Sequence, residues 1–228
     1  MLKIGVIGSI GVGKSTFINC LINKIEELEV KTHVFGEPAM EDPETHQILL
    51  KFYGDTLTYA FALETSITKV YNRYYRQIKE MEQKNVEGVV IIDGPSNGDI
   101  YSRIFYKNNI FTLEQRDEVF SKVEEFDIDI MIYLQESAEE TIRRIKKRDR
   151  SMEMSNLDYI YDHVRDYQTL IPHYLKSRFP GAKVLNLQNF PDVTTKEYDE
   201  FVTILARLIT QNNSVSTIDF GKLSLINA

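Results

Sequence analysis

Hydrophobic positions along the chain fall into two alternating rhythms. Short, nearly continuous apolar runs occur at Leu2 to Ile7, Val89-Val90-Ile91-Ile92-Asp93, Ile128 to Leu134 and Val184-Leu185-Asn186-Leu187, with a weaker alternating run from Val30 to Phe35. Runs of this length, bounded by turn residues, predict buried strands. Between them lie longer stretches with apolar side chains at helical spacing. Thr16 to Leu28 carries Phe17, Ile18, Leu21, Ile22 and Ile25. Asp42-Pro43 opens a helix through Phe52-Tyr53, and Gly54-Asp55 breaks it. Asp55 is placed to cap a long helix to about Gln83. Its apolar side is Tyr59, Phe61, Ala62, Leu63, Ile67, Val70 and Tyr74, and Lys69, Arg73, Arg76 and Lys79 make a solvated face. Further helices are predicted at about Ile100–Tyr106, Leu113–Val123, from Ala138 onward, Leu157–Ser177 and Glu197–Ile209.

Strands alternating with helices predict an α/β fold, a parallel sheet of about five strands with helices on both faces. One domain over residues 1–211, followed by a loose polar tail over 212–228, is the simplest division of the 228 residues. The helical mass between the second and third strands exceeds what a crossover needs, and should build a pocket.

Composition narrows the class. A net charge of -7 disfavours a nucleic-acid binder, which would carry a basic face. The single cysteine, Cys20, excludes an internal disulfide and reads as a small buried apolar residue. No apolar run approaches the roughly 18 residues of a membrane span. The first strand begins at Leu2 and leaves no room for a leader, so a soluble cytoplasmic protein is expected.

The chemistry is carried first by Gly8-Ser9-Ile10-Gly11-Val12-Gly13-Lys14-Ser15, a full G-x-x-x-x-G-K-[ST] match between a strand and a helix. Together with Thr16 it forms the nucleotide-binding loop. Glycines let the backbone approach an anion, and the helix N-terminus points its N–H groups at that anion. Lys14 adds charge for the β- and γ-phosphates, and the Ser15 hydroxyl suits Mg²⁺. Glu37, held extended by Pro38 at the tip of the second strand, faces the side where open α/β sheets bind ligands. It reads equally as an exposed loop carboxylate. Asp93 ends the third strand, the usual place of a metal-associated acid in P-loop enzymes. Ser137 is placed to cap a helix that turns strongly basic: Arg143, Arg144, Lys146, Lys147, Arg148, then Arg150. Such a cluster is either a solvated face or the charge that phosphoryl transfer requires.

Together these residues resemble the deoxynucleoside kinase family from about Leu2 to Leu187, with a P-loop kinase fold and a basic lid at about 144–154. The family's Glu-Pro is matched by Glu37-Pro38. Its F-Y-x-D-P-x-R-W-A-F-x-x-Q segment resembles Phe52-Tyr53-Gly54-Asp55 through Glu64. Its lid pattern R-x-x-x-R-x-R-x-x-E is matched by Arg144, Arg148, Arg150 and Glu153, and the downstream tyrosine pattern by Tyr159-Ile160 and Tyr167. The resemblance implies an ATP- and Mg²⁺-dependent transfer to a deoxynucleoside in nucleotide salvage, by a homodimer. Glu37 would be the general base, Tyr53 and Glu153 would hold the sugar 3′-hydroxyl, and Arg144, Arg148 and Arg150 would close on the phosphates. Ser15 and Asp93 would serve the metal.

Two departures stand out. Where the family has an acid followed by Arg-Ser, this chain has Asp93-Gly94-Pro95, and Arg103 lies ten residues further on. Where the family has a base-reading Gln, this chain has Glu64. An ionised carboxylate offers acceptors only, which suits guanine's adjacent N1–H and N2–H₂. Glu64 therefore favours a purine, deoxyguanosine in particular, unless it pairs with a nearby arginine. Two rivals share the pattern: a deoxynucleoside monophosphate kinase, and a non-catalytic nucleotide-binding regulatory subunit.

Overall fold

The computed structural model describes residues 1–95, 97–148, 157–188 and 193–211. Five strands, β1 (Leu2–Ile7), β2 (Thr32–Phe35), β3 (Val89–Asp93), β4 (Ile130–Gln135) and β5 (Lys183–Gln188), form one parallel sheet in the order β2-β3-β1-β4-β5. Nine helices among the described residues connect them: α1 (Lys14–Glu26), α2 (Pro38–Glu41), α3 (Pro43–Gly54), α4 (Thr56–Gln83), α5 (Asn97–Lys107), α6 (Leu113–Lys122), α7 (Ala138–Arg148), α8 (Leu157–Arg178) and α9 (Lys196–Thr210).

Side chains alternate across a strand, so one apolar run feeds two cores. Val89 and Ile91 join Ile4, Val6, Ile130 and Ile132 on the face covered by α1 and α9, through Phe17, Leu21, Ile25, Phe201 and Leu205. Val90 and Ile92 join Met131 and Tyr133 on the opposite face, under α4, α5 and α8. Each such aliphatic or aromatic side chain contributes about 1.5–3 kcal/mol by leaving water. Helix starts follow their caps. Asp42 Oδ2 accepts from Thr45 N at 3.0 Å, and Asp55 Oδ1 from Thr58 N at 3.1 Å, so α3 and α4 meet at the predicted break. Ser137 Oγ likewise accepts from Glu140 N at 3.0 Å.

Four details differ from the pattern reading. Val30 does not enter β2: its N–H bonds Ile25 O at 3.4 Å, closing the end of α1. Ala62 is exposed, because it lies two residues from buried Ala60, on the side of α4 away from the core. Cys20 is half-buried beside the α1–α9 core. The short helix α2 was not predicted, as four residues are too few to show a helical period. The tail over 212–228 and most of the lid segment (149–156) lie outside the described residues.

Parallel strands bring the carboxyl ends of β1, β2 and β3 to one edge. There the loop after β1, Glu37 after β2 and Asp93 at the end of β3 converge.

Candidate active site

A cavity of about 250 Å³ opens at that edge, lined by the phosphate loop at one end and by α3, α4, α5 and α8 at the other. The loop end is built by Ile10, Gly11, Gly13, Lys14, Ser15 and Thr16. Gly13 caps α1 with φ 105°, a left-handed conformation that a side chain would strain, so α1 begins with its N–H groups aimed into the cavity. Lys14 Nζ donates to Gly8 O at 3.0 Å and Ser9 O at 3.3 Å. Its charge therefore rests on loop carbonyls until an anion replaces them.

Glu37 lines the cavity from the end of β2, with extended backbone (φ −62°, ψ 123°) and an exposed side chain. Asp93 is 5% exposed, and its Oδ1 has no hydrogen-bond partner. Burial pushes its carboxyl up to about 6, with Lys14 drawing it down and Glu37 adding to the rise. Those influences put Lys14, Glu37 and Asp93 in one electrostatic field. Tyr71 supports this corner from α4, its hydroxyl donating to the Asp93 carbonyl at 2.8 Å. Gly94 turns away at φ 64°, donating to Val6 O at 2.8 Å. Its left-handed backbone explains glycine where the resembling family carries arginine.

Arg103 does not replace that arginine. Its guanidinium stacks 4.2 Å from the Phe120 ring centre and 5.8 Å from that of Tyr174, away from the cavity. Among the described lining residues the lysines and arginines are Lys14, in the phosphate loop, and Arg148, at the end of α7. Arg150 and Glu153 lie outside the described residues.

Arg144 sits behind the loop. Its Nη1 donates to Val12 O at 3.0 Å, Nη2 to Glu136 Oε2 at 2.7 Å, and Nε to Glu140 Oε1 at 2.8 Å. Glu136 is tied in turn to α8, where the Gln168 amide donates to its carbonyl. Arg144, predicted to close on the phosphates, thus ties the loop carbonyl of Val12 to Glu136 and Glu140.

Glu64 does meet the cavity. It is 1% exposed, its Oε2 has no hydrogen-bond partner, and it forms no ion pair with an arginine among the described residues. Burial pushes its carboxyl well above the ordinary value. Tyr53 lines the same chamber. Pattern reading passed over Tyr101 and His163. His163 is buried and its imidazole is pushed down to about 4 by burial, so it is neutral at physiological pH. Its ring packs 4.7 Å from Tyr101 and 5.7 Å from Tyr159, measured between centres. The available signal was the spacing of Tyr159, His163 and Tyr167, one turn apart along α8.

An absent Mg²⁺ fits the residues present. Asp93 offers a buried, unpartnered carboxylate oxygen within the electrostatic reach of Lys14, the residue before Ser15. No cluster of three or more His, Cys, Asp or Glu occurs among the described residues. One carboxylate plus one hydroxyl is nevertheless the usual protein share of a Mg²⁺ site completed by phosphates and water.

The sequence matches the deoxynucleoside kinase family over residues 4–213. The chain belongs to that family. Among solved structures, it is similar to deoxyadenosine kinase from M. mycoides with bound dATP: TM-score 0.66, 22% identity, covering 90% of this chain and 96% of that one. The same enzyme with bound dCTP gives 0.65 at 22% identity and the same coverage. With product dCMP and a flexible dCDP it gives 0.63 at 24% identity, covering 92% and 97%. At these identities the likeness is one of fold. A Bacillus subtilis protein described as the uncharacterized ABC transporter ATP-binding protein YfmM is 31% identical over 105 residues, 43% of this chain. The chain spans about a fifth of that relative's length, 20%.

Proposed function

We propose that this protein transfers the γ-phosphate of ATP to the 5′-hydroxyl of a deoxynucleoside, held with its base against Glu64 and its sugar near Tyr53. The observation that carries the reading is one cavity shared by Lys14 and Ser15 at one end, Glu37 in the middle and Glu64 at the far end. Glu37 takes the proton from the 5′-hydroxyl as its oxygen attacks the γ-phosphorus, and the bond from that phosphorus to the ADP oxygen breaks. Lys14 and the loop N–H groups neutralise the phosphates, and Arg148 and Arg150 add charge as the lid closes. Glu153 joins Tyr53 at the 3′-hydroxyl. Ser15 and Asp93 would hold Mg²⁺, which would supply positive charge to neutralise the phosphates. A closed lid excludes water and limits idle ATP hydrolysis.

The acceptor end supports a nucleoside over a monophosphate. Glu37 and Glu64 line the cavity as carboxyl groups, and both would oppose the charge of a phosphate already on the acceptor. A purine is the proposed base, and an ionised Glu64 would suit deoxyguanosine. The bases in the solved relatives are adenine and cytosine. The same reading places the enzyme in nucleotide salvage, in the cytoplasm, as a homodimer. No helix among the described residues is long and apolar enough to cross a membrane.

ADP release with ATP and Mg²⁺ tests the reading across the four deoxynucleosides and their monophosphates. Turnover on a nucleoside is expected. Turnover on monophosphates alone would identify a different acceptor. ATP binding without turnover on either would make the chain a regulatory subunit.

A further inference from the structure

Among the described residues, Glu64 is a carboxyl group whose chamber gives it no charge partner. Its Oε2 is buried and unpartnered. The groups around it come from four directions. From α3 comes Tyr53, while His46 is engaged with the Ala39 carbonyl at 2.9 Å. From α5 come Tyr101 and the close backbone of Gly98, where a Cβ would stand 3.4 Å from Glu64 Oε2 and 2.6 Å from Thr68 Oγ1. From α8 come Tyr159 and neutral His163, and from the end of β2 comes Glu37. The glycine allows α5 to close on this wall.

A neutral carboxylic acid has one donor and one acceptor, while its anion has acceptors only. Adenine (N6–H₂, N1) and cytosine (N4–H₂, N3) each present a donor beside an acceptor. Guanine presents the O6 acceptor, N1–H and N2–H₂, and it alone of the three offers two adjacent donors, the pair that a carboxylate accepts from. We infer that a proton on Glu64 selects the base: the neutral acid takes adenine or cytosine, and the carboxylate takes guanine. This rests on the proposed kinase reading and adds a substrate switch to it. Burial favours the neutral form in the empty chamber, as its raised carboxyl reflects. Two hydrogen bonds from guanine stabilise the anion and offset part of that penalty.

The consequence is quantitative and does not depend on where Glu64 titrates. Binding guanine leaves one fewer proton on the enzyme than binding adenine. The ratio of kcat/KM for deoxyguanosine over deoxyadenosine therefore rises about tenfold per pH unit. The neighbours do not imitate this slope. His163 is already neutral, and burial pushes Tyr101 and Tyr159 up, out of the neutral range. Glu37 serves the 5′-hydroxyl and Asp93 the phosphates, groups common to every acceptor, so their titration cancels in the ratio.

The test uses the full chain with ATP and Mg²⁺. Deoxyguanosine competes with deoxyadenosine, and separately with deoxycytidine, from about pH 6 to about pH 8.5. The expected result is a slope near tenfold per unit for the unaltered enzyme. Glu64→Gln, with a fixed donor and acceptor, should show no slope and favour deoxyadenosine and deoxycytidine throughout. A flat ratio in the unaltered enzyme overturns the inference while leaving the kinase reading intact. No phosphorylation of any nucleoside overturns both. Calorimetry of the unaltered enzyme in buffers of different ionisation heat gives a check that needs no variant. Deoxyguanosine should release about one proton more than deoxyadenosine, and equal release refutes the switch.

Discussion

Replacing Arg144 separates a brace from a catalytic arginine. The side chain makes three charge-assisted hydrogen bonds, to Val12 O, Glu136 and Glu140, at 3.0, 2.7 and 2.8 Å. Glu136 is 9% exposed and Arg144 30%, so removal strands a carboxylate that water reaches only in part. Breaking a fully buried pair costs about 3–5 kcal/mol, and the arginine's exposure reduces that to roughly 1–3 kcal/mol. For a chain of this size, Arg144→Ala should lower Tm by about 2–4 °C per kcal/mol lost. The loosened Val12 carbonyl should weaken ATP binding about tenfold, which corresponds to about 1.4 kcal/mol. Arg144→Lys keeps the charge but cannot span three acceptors, so it should recover part of the stability and little of the ATP affinity. Glu136→Gln should reproduce the ATP defect, because it releases the same brace from the other side. Steady-state kinetics with varied ATP, paired with thermal unfolding, measures both effects. The reasoning fails if Arg144→Ala cuts kcat by about 10³ or more without loss of stability, while Glu136→Gln leaves the KM for ATP unchanged. That outcome is the signature of an arginine acting on the transferring phosphate.

Three further outcomes are expected. Glu37→Gln should lower kcat by about 10²–10⁴ with ATP binding preserved, as loss of a general base does; a fall under about tenfold would remove that role. Tyr71→Phe leaves the buried Asp93 carbonyl without its 2.8 Å donor and should cost about 1–3 kcal/mol in urea unfolding, whereas a loss below about 0.5 would mean another donor takes its place. Asp93 holds its proton to about 6 against an ordinary 3.8, so the folded state binds more protons than the unfolded one inside that window. Its contribution is therefore lost as pH rises from 3.8 through about 6. Nucleotide-free Asp93→Asn should exceed the unaltered protein by about 1–3 kcal/mol near neutral pH and by less near pH 4, which denaturant titrations at both pH values would read.

Much of this was written in local pattern. The five strands, the break at Gly54-Asp55 and the cap at Ser137 follow from apolar periodicity and from side chains that satisfy the first N–H groups of a helix. Those causes act within a few residues, so they are visible in one dimension. The same holds for the phosphate loop, whose glycines and lysine must be contiguous to surround one anion, and for Glu37, held at a strand tip by the proline after it.

Packing decided the rest. Tyr101 and His163 face Glu64 because α5 and α8 meet over one face of the sheet; the spacing along α8 marks a shared face but does not say what that face meets. Arg103 lies on the wrong side of α5 for the substrate, and Arg144 is taken by two carboxylates and a loop carbonyl. A charge in a sequence carries its sign but not its partners. Glu64 is the clearest case: as a letter it is an anion with acceptors only. Removal from water, with no cation beside it among the described residues, shifts it toward the neutral acid, and with that shift changes the hydrogen bonds that a base would meet.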